Sequence, residues 1–312
     1  MSIVFEEEYN KKIKNYVKNI KNYNGLCLSS GGINGWIFIG ILSYLYKLDK
    51  LKEIKYYIGT SIGAIICLLL ILNYEPLEIL KLSCNNNISD YFTLSVSNIK
   101  EGYGLYNIQN LKLYLKQLIL NKTNGIIPTF KQLFDKTNKV FYCTSYCLNP
   151  HGNSINNNKI YFNYKDYPEM NVLDAVISSA SLPIIFTKNK LNENYYIDGG
   201  LFDHFPINKL YNIMYDDIQD DKNINILALE IGTKKIDKIN TIGEYIFSIL
   251  NIICQTQETE SIINILKDKK IIDYIVSQKE FTMNYKDTTT SRIQLICDGI
   301  KLVRSYYSEF IK

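Results

Sequence analysis

Between residues 24 and 72 the chain alternates two hydrophobic rhythms, and no other feature constrains its fold as much. "NGLCLSS" is a short buried-strand run ending at the turn Gly31-Gly32. "GWIFIGILSYLYKLD" is apolar nearly all round, as a buried helix is. "IKYYIG" is a second strand run, and Ser61–Leu72 a second buried helix. Strand, helix, strand, helix is the order of parallel strands joined by crossover helices, because a parallel neighbour is reached only by a connection that returns across the sheet. The alternation predicts a three-layer α/β fold, with helices on both faces of a mainly parallel central sheet. Ser61 should lie on the turn between a strand ending near Gly59 and a helix running to about Leu72.

Further along, helices are expected over Asn107–Leu120, Thr129–Asp135 and Val172–Ser179, and residues 6–21 also show helical spacing. "KVFYCTSYCL", "KIYFNY", "YYIDGG" and "NINILALEIG" read as strands, with a loop over "NPHGNSINNN". Beyond Thr233 the spacing is helical to the end, with loops near Lys267–Lys270 and Tyr285–Thr290. No repeat, proline-rich linker or composition step divides the 312 residues. One domain over 1–312 is therefore expected, with a motif-bearing core at about 25–206 and a helical C-terminal part at about 233–312. Ile242, Tyr245, Ile246, Ile249, Leu250 and Ile253 form an apolar stripe suited to core packing or, alternatively, to capping a lipid channel.

Composition narrows the function. Thirty-five basic and 31 acidic residues leave a net charge of +4 and no basic stripe, which argues against nucleic-acid binding and tolerates an anionic membrane surface. The seven cysteines include no Cys-x-x-Cys pair, and their odd number suits free thiols in a reducing compartment. The N-terminus carries three consecutive glutamates and no apolar segment, unlike a signal peptide. Ala64–Leu72, the longest apolar run, is far short of a bilayer span. A cytoplasmic protein with peripheral membrane contact is the expectation. No D-x-[DN]-x-[DN]-G loop signals calcium, and neither metal nor cofactor is expected.

Three short motifs carry chemistry. Gly59-Thr60-Ser61-Ile62-Gly63 fits G-x-S-x-G at a strand-to-helix seam, where a sharp turn pushes a serine hydroxyl out of the sheet and onto a helix N-terminus. "LSSGGINGW" aims backbone N–H groups at one spot but fits neither the Walker nor the dinucleotide pattern. An oxyanion hole needs only two or three such donors, and Gly31 and Gly32 can supply them. Asp198-Gly199-Gly200 follows a strand run and can hold a carboxylate at its end. Each motif has a plainer reading: a serine N-cap, a tight packing turn, an ordinary Asp-Gly turn. The chain has two histidines, His151 in an Asn-rich loop and His204 six residues after Asp198. A Ser-His-Asp triad must recruit one of them; a Ser-Asp dyad needs neither.

In this combination and order the motifs resemble the patatin-like phospholipases. "AVISSASLPIIF" (175–186) and "DGGLFDHFPI" (198–207) resemble two further stretches of that family, so the resemblance runs from about Gly25 to Pro206. It implies Ser61 as nucleophile and Asp198 as general base. It also implies an oxyanion hole from Gly31, Gly32 and the Ile62 N–H, supported by Ser30, Asn34, Gly35, Gly59, Gly63, Gly199 and Gly200. The implied substrate is a phospholipid or other acyl lipid met at a membrane surface. Ser30 stands where the family has its first glycine, Asn34 where it has a basic residue, and His204 where it has Asn. Two other readings stay open: an α/β-hydrolase using His204 as base, and a non-catalytic lipid-binding homologue.

Overall fold

The computed structural model describes residues 20–85, 95–150, 158–233, 239, 245, 248–249, 258–279 and 288–308. Its strands are β1 (Gly25–Leu28), β2 (Tyr56–Gly59), β3 (Gly104–Tyr106), β4 (Val140–Cys147), β5 (Lys159–Phe162), β6 (Ile184–Phe186), β7 (Asn189–Leu191), β8 (Asn194–Asp198), β9 (Ile226–Thr233) and β10 (Ile272–Lys279). The main sheet runs β10-β9-β1-β2-β4-β8-β7, with β5 added on β4; β3 pairs with β6. Neighbours from β10 to β4 are parallel, whereas β5, β8 and β7 join antiparallel.

Alternation along the strands builds the layers. Leu26 and Leu28 of β1, Tyr57 of β2, and Leu227, Leu229 and Ile231 of β9 join one core. Cys27, Tyr56, Ile58, Ile226 and Ala228 join the other. A period of two sends successive side chains to opposite faces, and two apolar faces need two covers. Helices Trp36–Lys47, Ile62–Ile71, Ile108–Lys122, Val172–Ser179 and Thr289–Ser308 cover the first face; Ile207–Ile218 and Glu258–Asp268 cover the second. The α/β/α architecture with a mainly parallel sheet is the one expected.

Helix Trp36–Lys47 is apolar nearly all round because the C-terminal helix lies directly on it. A Cβ on Gly40 would come within 2.2 Å of the Ile296 carbonyl oxygen, and one on Gly299 equally close to that of Ile37. Arg292 closes the contact: its buried guanidinium donates to the Ser83 carbonyl (2.6 Å) and lies 5.7 Å from the Trp36 ring centroid.

Two expectations are corrected. The segment after Thr233 is not helical throughout, since Ile272–Lys279 forms β10 in parallel register with β9. Ile271, Ile272 and Ile275 repeat at helical spacing, and an edge strand leaves its outer positions half-exposed, which blurs the strand alternation. Pairing with β9 overrides that local pattern. In the apolar stripe, Tyr245 and Ile249 are exposed rather than packed in the core. Ile242, Ile246, Leu250 and Ile253 lie outside the described residues, as do residues 1–19 and His151. Among the described residues no single helix is long and apolar enough to cross a membrane. Ile62–Ile71 and Pro76–Ser83 reach that length only as a pair bent by 115°.

Candidate active site

The chain leaves β2 at Gly59, and Ser61 takes φ 56° and ψ −122° before helix Ile62–Ile71 begins. For a residue with a side chain such a backbone costs about 1–3 kcal/mol, so the surroundings must impose it. Gly59 and Gly63 let the turn close: a Cβ on either would lie 2.5 Å from backbone, at Ala64 N and at the Leu28 carbonyl oxygen respectively. The Ser61 N–H donates to Ser179 Oγ at 2.8 Å. The Thr60 hydroxyl donates to the Asp203 carbonyl (3.0 Å) and accepts from Thr144 (2.8 Å). The turn is thereby tied to β4, to helix Val172–Ser179 and to the loop after β8.

Strand register brings the carboxylate to the serine. Gly59 lies opposite Cys143 of β4, and Ser145, two residues on, lies opposite Asp198 of β8. Both groups therefore sit at one level of the sheet, on either side of β4. Asp198 is 3% exposed, and its carboxylate accepts from the Gly200 N–H at 2.7 Å and faces the Ser61 hydroxyl. Its own N–H donates to the Ser181 carbonyl (3.0 Å). Burial pushes its pKa up from 3.8 to about 6, and the Ser61 hydroxyl and Gly200 N–H restrain the rise. It is a stronger base than an exposed aspartate and remains ionised at pH 7.

The glycine turn lies alongside, because Leu28 is in register with Gly59. Gly31 leads into a 3₁₀ turn, Gly32–Gly35, and Gly32 has φ 53°, a left-handed conformation that glycine adopts freely. A Cβ on Gly35 would meet Ile62 Cγ1 at 2.5 Å, so the turn touches the start of the serine's helix. Ile62 is the first residue of that helix, where an N–H has no intrahelical acceptor. Asn34 is buried, and its N–H donates to the Gly31 carbonyl (3.1 Å). Gly199 packs against Thr144, and Gly200 between Asp198 and Ser30. The three motifs thus meet beyond the carboxyl ends of β1 and β2, the usual ligand position in an open parallel sheet.

Sequence reasoning missed several supporting groups: Ser179, Thr60, Thr144 and Asp203. Two adjacent serines in the apolar run 175–180 were the available signal for Ser178 and Ser179, both fully buried. His204 does not turn to Ser61. Its Nδ1 lies 2.5 Å from Ser30 Oγ and its Nε2 3.2 Å from the Ile231 carbonyl oxygen. Burial lowers its pKa from 6.5, opposed by the Glu230 carboxylate. Among the described residues no three His, Cys, Asp or Glu side chains gather to hold a metal. Cys27, Cys67, Cys143 and Cys147 are buried free thiols, and Cys297 an exposed one.

What fold and site define first is a class: an α/β/α protein with a G-x-S-x-G turn at the carboxyl edge of a parallel sheet. Within it the chain belongs to the patatin-like phospholipase family, whose model matches residues 26–211. Invertebrate iridescent virus 6 has a relative named probable lipid hydrolase 463L, 34% identical over 193 residues. That match takes in 60% of this chain and 63% of the relative, so it spans under two thirds of that protein's length. Uncharacterized protein R571 of Acanthamoeba polyphaga mimivirus is 28% identical over 94% of this chain and 95% of its own. Among solved structures, VipD from Legionella pneumophila superposes with a TM-score of 0.51 at 15% identity, covering 92% of this chain and 67% of VipD. Full-length ExoU of Pseudomonas aeruginosa, solved with SpcU, gives 0.50 at 14% identity over 93% of this chain and 53% of ExoU. At these identities the likeness is one of fold.

Proposed function

We propose that this protein hydrolyses acyl esters of lipids, of the phospholipase A or lysophospholipase type, with Ser61 and Asp198 as a catalytic dyad. The observation that carries the reading is the meeting of the Ser61 hydroxyl, on its strained turn, with the buried Asp198 carboxylate. Asp198 accepts the serine proton as Ser61 Oγ attacks the ester carbonyl, since free alkoxide is too costly at neutral pH. The N–H groups of Gly31, Gly32 and Ile62 stabilise the developing oxyanion, typically about 3–4 kcal/mol per well-aimed donor. Asp198, now protonated, returns the proton to the leaving alcohol. Water, deprotonated by the same carboxylate, then releases the fatty acid from Ser61. An alcohol leaves without strong acid catalysis, so esters suit this pair better than amides.

The family and the viral relative's name support a lipid substrate. Contact with a membrane surface fits the exposed apolar side chains of Val96, Ile99, Tyr103 and Ile184. β3, which begins just after Tyr103, pairs with β6, which begins at Ile184, and Ile184 follows closely on Ser181, which holds the Asp198 N–H. The chain acts as one unit over 1–312, because β9 and β10, which follow the family match, extend the sheet beside β1. A triad through His204 is disfavoured, because both its ring nitrogens face other partners.

Fluorophosphonate labelling followed by peptide mass spectrometry tests the reading. The expected result is a single adduct on Ser61, lost in Ser61→Ala and strongly slowed in Asp198→Asn. An unlabelled Ser61 in folded protein would overturn it.

A further inference from the structure

Two departures from the family's pattern, Ser30 and His204, lie 174 positions apart in sequence and touch each other. The contact is double. The Ser30 N–H donates to the His204 carbonyl at 3.0 Å, and the side chains meet at 2.5 Å between Ser30 Oγ and His204 Nδ1. The far side of the imidazole fixes who donates. Nε2 faces the Ile231 carbonyl oxygen at 3.2 Å and Glu230 Oε1 at 3.7 Å, and both of these can only accept. Nε2 therefore carries the hydrogen of the neutral ring, and Nδ1 accepts from the Ser30 hydroxyl. The Tyr274 hydroxyl donates to the same Glu230 carboxylate, so β9 and β10 both brace the histidine.

Ser30 is well placed to matter. Ser29 Oγ donates to the Ser30 carbonyl at 2.6 Å and accepts from the Ile231 N–H at 2.9 Å. In a planar trans peptide the Gly31 N–H points opposite to that carbonyl, so whatever fixes Ser30 also aims Gly31. Ser30 Oγ and Asp198 Oδ1 lie 3.1 and 3.0 Å from the place a Cβ on Gly200 would take, within twice that distance of each other. A free Ser30 hydroxyl would be a second donor near the carboxylate that Ser61 uses.

We propose that His204 is a positioning residue: through Nδ1 it holds the Ser30 hydroxyl, which keeps the Gly31 N–H aimed at the reacting carbonyl and Ser30 away from Asp198. The inference rests on the ester-hydrolase reading. It assigns His204 no contact with substrate and no proton from Ser61.

The test is a mutant cycle with the full chain, measuring kcat and KM on a soluble short-chain nitrophenyl ester, with fluorophosphonate labelling of Ser61 as an independent readout. His204→Leu and Ser30→Ala should each lower kcat about tenfold with little change in KM. The double variant should be no slower than the slower single, because the two changes remove one interaction. His204→Asn, whose Oδ1 stands where Nδ1 stood, should recover most of the rate, which general loss of stability does not explain. Wild-type kcat in His204→Leu, losses that multiply in the double variant, or His204→Asn as slow as His204→Leu would each overturn the inference. So would a His204→Leu rate as low as that of Ser61→Ala, which would make His204 the base. Wild-type protein that leaves Ser61 unlabelled would sink the hydrolase reading itself, an outcome separable from the others because it needs no variant.

Discussion

Replacing Asp198 by Asn should abolish turnover and make the protein more stable. The carboxylate is buried beside the Ser61 hydroxyl with a hydrogen bond from the Gly200 N–H, and its pKa stands at about 6 against 3.8 when exposed. Each unit is worth 1.36 kcal/mol, so the ionised form is disfavoured in the folded protein by about 3 kcal/mol. The sign follows from proton binding: the folded state holds the Asp198 proton more tightly than the unfolded chain. The stability associated with that proton is complete below about pH 4 and is lost as pH rises through 6. Asparagine has no charge to desolvate, and its Oδ1 can still accept from the Gly200 N–H. Asp198→Asn should therefore gain about 3 kcal/mol at pH 8. At about 2 °C per kcal/mol for a chain of this size, the melting temperature should rise by about 6 °C. The gain should shrink through pH 6 and vanish near pH 4. Urea or thermal melts of both proteins across this range provide the assay. A variant less stable than the parent at pH 8, or a gain independent of pH, would refute the reasoning.

The activity of the parent should follow the same group, with kcat/KM rising with pH and levelling off above about 6, as stopped assays in overlapping buffers can read. Ser61→Ala should lose several orders of magnitude in kcat with its circular dichroism spectrum unchanged. Ser61→Gly should be equally inactive but about 1 kcal/mol more stable than the alanine variant, because glycine adopts φ 56° without strain. Ser179→Ala strands the buried Ser61 N–H; it should cost about 1–3 kcal/mol in denaturant melts and also lower kcat.

How much was legible depends on which interactions define an element. β1, β2 and the helices after them announce themselves because buried parallel strands and buried helices carry dense apolar runs bounded by glycine. The elbow could be read because Gly59 and Gly63 are demanded by close backbone contacts that any sequence forming this turn must respect. β10 was misread as helix because, at the sheet's edge, one neighbour rather than its own pattern makes it a strand. β3, β6 and β7 are three residues each, too short for a period to show. The Ser30–His204 contact was illegible for another reason. Both residues were visible as departures, but only the approach of β1's end to the loop after β8 reveals that they answer one another.

The position of β9 bears on how the molecule is born. The glycine turn emerges from the ribosome early, yet the partners of Ser29, the Leu229 carbonyl and the Ile231 N–H, are translated long after the serine elbow and the aspartate. Until they arrive β1 has an open edge, and the Ser29 hydroxyl that holds the Ser30 carbonyl lacks its Ile231 partner. A nascent chain stopped after residue 211 holds the whole family-matched segment and still lacks the strand that closes the open edge of β1.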